Sequence, residues 1–376
     1  MLFFKEFDKS IIFDRLKRIN FNLIFLVFLI FGIGITMLYS AGGGNWQPWA
    51  SKQLIYFICF FPITILIATI DINFWFKTSY LIYFFGLCLL IFVEIIGHKS
   101  MGATRWVRIG FINFQPSELM KICLILSLAK YFFVKDLDEI KENKNLIIPI
   151  MLFILPFVLI LKQPNLGTAL ILMIITISIF FSSGVQIWKF ALCIVLVLLS
   201  SPIVWKFGIK DYQKQRIMTF LNPTADPLKS GYNIAQSKIA IGSGGLSGKG
   251  FLNGTQGQLE FLPEKQTDFI FTIFAEEFGF IGTIFLIFLY LCLFGILFFM
   301  CTKSNNNFCR IIIIGIFINL FSHFFINIGM IIGLLPVVGT PLPLMSYGGS
   351  ITVSTLISLG FVLNADINRN IQIKNR

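Results

Sequence analysis

Apolar runs of bilayer-spanning length take up most of this chain and leave it few ways to fold. They fall near residues 20–40, 53–70, 76–97, 117–134, 146–161, 167–184, 187–206, 268–300, 309–333 and 348–365, the fifth and sixth being the shortest. A helix needs about 20 apolar residues to cross a hydrocarbon core about 30 Å thick. Composition agrees: 56% of residues are hydrophobic and 13% charged, with a mean hydropathy of +0.84. A soluble domain carries about 25% charged residues. The expected fold is an all-α polytopic membrane protein, a single transmembrane domain over residues 1–376. It has about ten transmembrane helices and one long extracytoplasmic loop, about residues 207–266, between helices 7 and 8.

The net charge of +12 fits helix ends that face anionic lipid and set topology. No basic cluster interleaves with exposed aromatics in a soluble segment, which excludes nucleic-acid binding. The seven cysteines lie nearly all in apolar runs and none in the long loop, against a disulfide framework. With only His98 and His323, a zinc site is not expected. Residues 1–19 are polar and basic, and no small-residue cleavage site follows the first run, so that run reads as a retained helix.

Orientation follows from loop charge. With residues 1–19 inside, roughly 16 Lys and Arg fall inside and 14 outside, which decides nothing. The rule holds only for loops under about 60 residues. Setting aside the long loop leaves roughly 16 inside against 6 outside. Both termini are then expected to be cytoplasmic and the long loop to face the other side.

Polar stretches between the runs carry the candidate chemistry. Residues 98–116 bring Arg105, Trp106 and Arg108 together; a Trp at the interface anchors a fold, while two Arg can grip a phosphate. Glu118 and Lys121, three apart at the start of the fourth run, share a helix face and can pair. That pair either locks helices together or lines a substrate cavity. Lys162 breaks the apolar stretch before Asn165 and reads as a snorkelling side chain.

In the long loop, residues 234–241 read as a short amphipathic helix on the surface. The glycine-rich run Gly242–Gly250 has Ser243 and Gly250 where a nucleotide loop needs Gly and Ser or Thr, so ATP use is not expected. Its glycines instead let backbone N–H groups approach an anion or another loop.

Asp268 follows, placed on the first turn of the eighth run with Thr267 as a plausible N-cap. The helix dipole favours its ionised form, and burial opposes it. A carboxylate where water meets hydrocarbon is a functional candidate, as a base for a sugar hydroxyl or a ligand for a divalent cation; the plain alternative is a helix cap. Glu276 and Glu277, deeper in the run, read as structural. Residues 334–350, without charge and with three prolines, read as a re-entrant or wall-forming loop.

Several stretches together resemble the SEDS family (shape, elongation, division and sporulation) of bacterial cell-wall glycan polymerases: Gly42-Gly43, GATRWVRIGFINFQPSELMK (102–121), KQPNLGTA (162–169), the loop from Tyr212 to Asp268, and LPVVGTPLPLMSYGGS (335–350). GTQGQLEFLPEKQTDFIF (254–271) and the short termini look like the elongation branch rather than the division branch. The resemblance implies a glycosyltransferase of the bacterial inner membrane that polymerises lipid II, a disaccharide-pentapeptide on undecaprenyl pyrophosphate. It implies a class B penicillin-binding protein as partner, Asp268 as the essential acid, and Glu118 with Lys121 as a supporting charge pair. Asn165 and Asn222 depart from the family, which usually has Asp at both places. Such a transfer needs a base for the acceptor hydroxyl, the role of Asp268, and positive charge on the pyrophosphate leaving group. The candidates are Arg105, Arg108, Lys214, Arg216, Lys238, Lys249 and Lys265, or a divalent cation, Mg2+ or Mn2+, held at Asp268. A flippase for the same lipid, or a scaffold for the partner, are the competing classes.

Overall fold

The structure, a computed structural model, describes residues 9–100, 103–109, 112–163, 165–203, 214, 218–220, 230–255 and 264–373. Lys9–Lys17 (α1) leads into Phe21–Ala41 (α2), Trp49–Thr69 (α3) and Ile72–Ile96 (α4). Three short strands follow, His98–Ser100 (β1), Ala103–Ile109 (β2) and Ile112–Phe114 (β3), then Pro116–Val134 (α5), Leu137–Lys141 (α6), Ile147–Lys162 (α7), Leu166–Ser182 (α8) and Ile187–Ile203 (α9). Ser230–Ser243 (α10) lies in the long connection, and Ile270–Lys303 (α11), Asn307–Ile331 (α12) and Gly349–Ile367 (α13) complete the chain.

The apolar runs and the long helices coincide. Among the described residues, seven stretches are long and apolar enough to cross a membrane: α2, α3, α4, α7 with its preceding turn, α11, α12 and α13. The apolar helices α8 and α9 are shorter. Helix α5, of 19 residues, carries Glu118, Lys121 and Lys130 among its apolar side chains. The protein is an all-α polytopic membrane protein. Its seven cysteines are free.

Short polar side chains start the helices. Asn20 accepts from Leu23 N at 3.2 Å, Asp71 from Asn73 N at 2.8 Å, and Asn306 from Phe308 N at 2.9 Å. Each takes up an N–H that the first helical turn leaves unpaired.

Burial sorts the helices into an interior and a rim. The most apolar window of α13 is 89% buried and that of α12 67%, against 22% for α7. Leu124, Ile125 and Leu128 of α5 and Ile312, Ile313 and Ile316 of α12 belong to one buried core, and a Cβ on Gly315 of α12 would lie 2.7 Å from Ile125 Cγ2. The rim turns its large side chains outward, as with Leu81, Phe84 and Phe85 of α4 and Leu198 and Leu199 of α9. In lipid these need no protein partner.

Helices α3 and α13 come close because Gly360 has no side chain; a Cβ there would lie 2.8 Å from the Thr64 carbonyl. Thr64 Oγ1 donates to the Leu356 carbonyl at 3.0 Å, and Asn364 Nδ2 reaches the carbonyls of Ile67 and Ala68 at 3.0 and 3.1 Å. Small residues and side-chain amides join helices this way where hydrocarbon supplies no drive for association.

Two features were not visible in the apolar pattern. The strands 98–100, 103–109 and 112–114 form a small antiparallel sheet, in which Val107 is paired with Phe114 and His98 with Trp106. Ser350 fastens it to the start of α13, accepting from Gln115 N at 2.7 Å and donating to the Asn113 carbonyl at 2.8 Å.

The second is a break in α11 at Gly279, whose φ is +63°. The glycine-rich segment is spliced into it. Lys249 N and Gly250 N donate to the carbonyls of Glu276 and Glu277, both at 3.0 Å, while Phe280 N and Ile281 N donate back to Gly245 and Leu246 at 2.9 and 3.1 Å. A Cβ on Gly248 would strike the Glu277 carbonyl, and one on Gly279 the Gly248 nitrogen. The glycines therefore serve a close backbone approach to a broken helix, whose freed groups need partners within hydrocarbon. Helix α10 is longer than the expected 234–241 and does not lie loose on a surface. Its Ile234, Ser237 and Ala240 are buried, and Ser237 meets Thr272 of α11 at 3.4 Å.

Candidate active site

Asp268 belongs to a turn, residues 264–269, rather than to the first turn of a helix. Phe269 occupies the N-cap position of α11 with no side-chain cap. Thr267 is not the cap expected from sequence; its hydroxyl donates to Glu264 instead, at 3.2 Å. The reason lies in the main chain. Three successive carbonyls that a helix would use are taken from outside: Tyr347 N donates to Gln266 O at 2.9 Å, Ser346 Oγ to Thr267 O at 2.5 Å, and Asn327 Nδ2 to Asp268 O at 2.9 Å.

Those donors come from α12 and from residues 332–348, which run without regular structure between α12 and α13. The irregular backbone is covered, as hydrocarbon demands. Leu342, Leu344, Met345 and Ser346 are buried. Gln53 holds both sides of the loop, donating to Ser346 O at 3.0 Å and accepting from Gly348 N at 3.1 Å. Tyr290 donates to Pro343 O at 2.5 Å. The loop is a wall of the site: a Cβ on Gly339, at φ +74°, would lie 3.2 Å from Asp268 Oδ2.

The same wall touches the start of α8. A Cβ on Gly167 would meet Thr340 Cγ2 at 3.1 Å. Asn165 caps α8, accepting from Thr168 N at 3.5 Å, and its amide lies 3.5 Å from Ser117 Oγ. An aspartate would fill the capping role there equally well.

The expected ion pair begins at the residue after Ser117. Lys121 Nζ is 3.0 Å from Glu118 Oε2. Lys121 is fully buried and Glu118 is 6% exposed. The sequence missed the third member: His323 Nε2 lies 2.6 Å from Lys121 Nζ. Ser354 of α13 adds a contact to Glu118 at 3.4 Å. The cluster thus joins α5, α12 and α13. Asn327, which grips the Asp268 turn, was missed too. The available signal was the spacing of Asn319, His323 and Asn327, four apart in a mostly apolar helix.

The basic candidates separate in space. Lys265 shares the turn with Asp268, is 9% exposed, and lies 5.9 Å from the Trp49 ring centroid. It lines a cavity of about 330 Å3 with Ala41, Gly42, Gly43, Gln47, Pro48 and Trp49. Lys249 instead meets Glu276 at 2.7 Å and Thr255 at 2.8 Å. Lys238 is exposed, with its side chain against Gly333. Arg105 and Lys214 are half-buried. Arg216 and the side chain of Arg108 lie outside the described residues. Among the described residues, no group of three or more His, Cys, Asp or Glu is placed to hold a metal.

With this geometry in hand, known proteins supply the context. The family model for the cell cycle proteins FtsW, RodA and SpoVE matches residues 20–371. Peptidoglycan glycosyltransferase MrdB of Escherichia coli K12 is 42% identical over 294 residues, 78% of this chain and 79% of that protein. MrdB of Helicobacter pylori is 38% identical over 317 residues, 83% of this chain and 82% of that one. The probable peptidoglycan glycosyltransferase FtsW of Wigglesworthia glossinidia brevipalpis is 34% identical over 382 residues, 98% and 97% of the two chains.

Among solved structures, a chain from a peptidoglycan synthase complex that coordinates polymerization and crosslinking superposes with a TM-score of 0.82 at 29% identity, covering 94% of this chain and 99% of that one. The rod shape determining protein RodA of Thermus thermophilus gives 0.71 at 27% identity, covering 94% and 98%. A family match across nearly the whole length, on a fold shared with solved members, places the protein: the chain belongs to the SEDS family of cell cycle proteins, with FtsW, RodA and SpoVE.

Proposed function

We propose that Asp268 is the base with which this chain joins lipid-linked disaccharides into glycan strands. The protein is a peptidoglycan glycosyltransferase. The observation that carries the proposal is the placement of Asp268: half-buried, in a turn held at three successive carbonyls, beside a wall built to approach its carboxylate.

The chemistry needs a base for the acceptor hydroxyl and positive charge for the departing pyrophosphate. Asp268 takes the hydroxyl proton as the acceptor oxygen bonds to the donor's anomeric carbon. The bond from that carbon to the phosphate oxygen breaks, and its electron pair leaves with undecaprenyl pyrophosphate. Lys265 is the basic residue best placed to meet that charge, since it shares the turn and lines the cavity. Glu118 and Lys121, joined to His323 of α12, are the supporting charge pair of this reading.

Mg2+ is commonly held by one or two carboxylates together with substrate phosphates, a donor set that one protein carboxylate can join. Asp268 would be the protein's ligand to such an ion, Mg2+ or Mn2+, which when bound would neutralise charge on the pyrophosphate.

The substrate of this reading is lipid II, entering from the bilayer. The greater identity to MrdB than to FtsW supports the elongation branch over the division branch. The synthase-complex relative supports a crosslinking partner of the class B penicillin-binding type. The loop charges support an inner-membrane protein with both termini cytoplasmic and residues 207–266 on the opposite side.

The test is polymerisation by purified protein in liposomes with lipid II supplied only on the outer face, with and without chelator. Glycan should form without the partner, and Asp268→Ala should form none while inserting and melting normally. Undiminished polymer from Asp268→Ala would remove the base; movement of lipid II without any polymer would make the protein a flippase.

A further inference from the structure

Asn327 is fully buried on α12. Its amide nitrogen donates to two main-chain carbonyls, Asp268 O at 2.9 Å and Thr340 O at 2.7 Å. The chemistry dictates this orientation. Turning the amide over would set its oxygen against two carbonyl oxygens, with no donor between them. One side chain thus joins the turn that carries Asp268 to the wall beside its carboxylate.

We infer that Asn327 is a positioning residue for glycosyl transfer, setting where the Asp268 carboxylate stands relative to the wall at residues 338–340. The inference rests on Asp268 being the base. Gly339 adjoins Thr340 and closes on Asp268 Oδ2, so a shift of the wall against the turn changes the surroundings of the carboxylate. Ser346 and Tyr347 hold the two preceding carbonyls from further along the loop. Asn327 holds both turn and wall from a membrane helix.

That helix also reaches the ion pair. His323 is one turn before Asn327, on the same face, and lies 2.6 Å from Lys121 Nζ. Successive turns of α12 therefore grip the Glu118–Lys121 pair and the Asp268 turn. Helix α12 is the strut that keeps the two in register.

A misplacement of about 1 Å at a reacting group can slow a reaction about 100-fold. Removing the strut's contact should act on turnover, since Asn327 touches no substrate. The experiment uses the full-length protein in liposomes, measuring kcat and KM for lipid II and the rate across pH, normalised to folded protein. Asn327→Leu removes both donors at similar volume. Asn327→Asp keeps the shape, removes the donors, and serves if the leucine variant does not insert. Asn319→Leu makes a similar change two turns earlier on the same helix, away from the turn.

Expected are a fall in kcat of about 10- to 100-fold with KM within about twofold, a displaced acid limb of the rate profile, and near-native kcat for Asn319→Leu. Near-native kcat in folded Asn327→Leu or Asn327→Asp, or an equal loss in Asn319→Leu, would overturn the inference. Asp268→Ala run alongside separates the two readings. If it still polymerises, the base assignment fails. If it is inactive while the Asn327 variants are normal, only the positioning role fails.

Discussion

Lys121 directs its ammonium at His323: Nζ and Nε2 are 2.6 Å apart, and neither residue is more than 2% exposed. An ammonium can only donate, so Nε2 is its acceptor, and Glu118 Oε2 accepts a second of its N–H groups at 3.0 Å. A charged ammonium in the core of a membrane protein is thereby held between a carboxylate on its own helix and a neutral acceptor on another.

Removing one member of such a pair leaves a buried charge uncompensated, at about 3–5 kcal/mol. Lys121→Met should therefore lower the melting temperature sharply in detergent. Glu118→Gln combined with Lys121→Met should recover much of that stability, because both charges are gone. Polymerisation should stay lost in the double variant if the charges serve the reaction. Recovery of stability and activity together would make the pair purely structural.

Lys249 and Glu276 make a second such cycle. Glu276 is fully buried and accepts from Lys249, from Thr255 N at 2.9 Å and from Thr255 Oγ1 at 3.0 Å. Lys249→Met should destabilise the spliced break of α11, and Glu276→Gln should partly compensate. Lipid II turnover per folded molecule should change little in either. A large rise in KM for Lys249→Met at intact stability would restore Lys249 as a substrate ligand.

Lys265 should behave differently. A charge-assisted hydrogen bond is worth about 1.5–3 kcal/mol, so Lys265→Met should raise KM for lipid II about 10- to 100-fold. The native KM should rise with salt and that of the variant should not, since screening acts on the lost charge. Kinetics of the two proteins over a salt series decide it; an unchanged KM would place the pyrophosphate elsewhere.

Much of this architecture was legible before any coordinates. A spanning helix is a local property, set by about 20 apolar residues in a row, and so the long helices fell where the runs predicted. The irregular 334–350 segment was legible for the same reason, through its prolines and lack of charge. The small sheet at 98–114 was not, because its strands are three to seven residues long and carry no period of their own. The N-cap assigned to Thr267 failed because tertiary donors took the carbonyls a helix would have used.

By itself the sequence determined the membrane fold, the order of its helices, and which acids and bases lie between them. Those depend on neighbours along the chain. It also placed Glu118 beside Lys121, three residues apart on one face. Only the tertiary structure decided that His323, 202 residues away, shares the Lys121 ammonium, that Asn327 holds the Asp268 turn, and that the glycine-rich loop closes a broken helix. Each of these joins groups distant in sequence. Inside hydrocarbon an unpaired donor or acceptor is expensive, and its partner is whichever complementary group helix packing brings within reach.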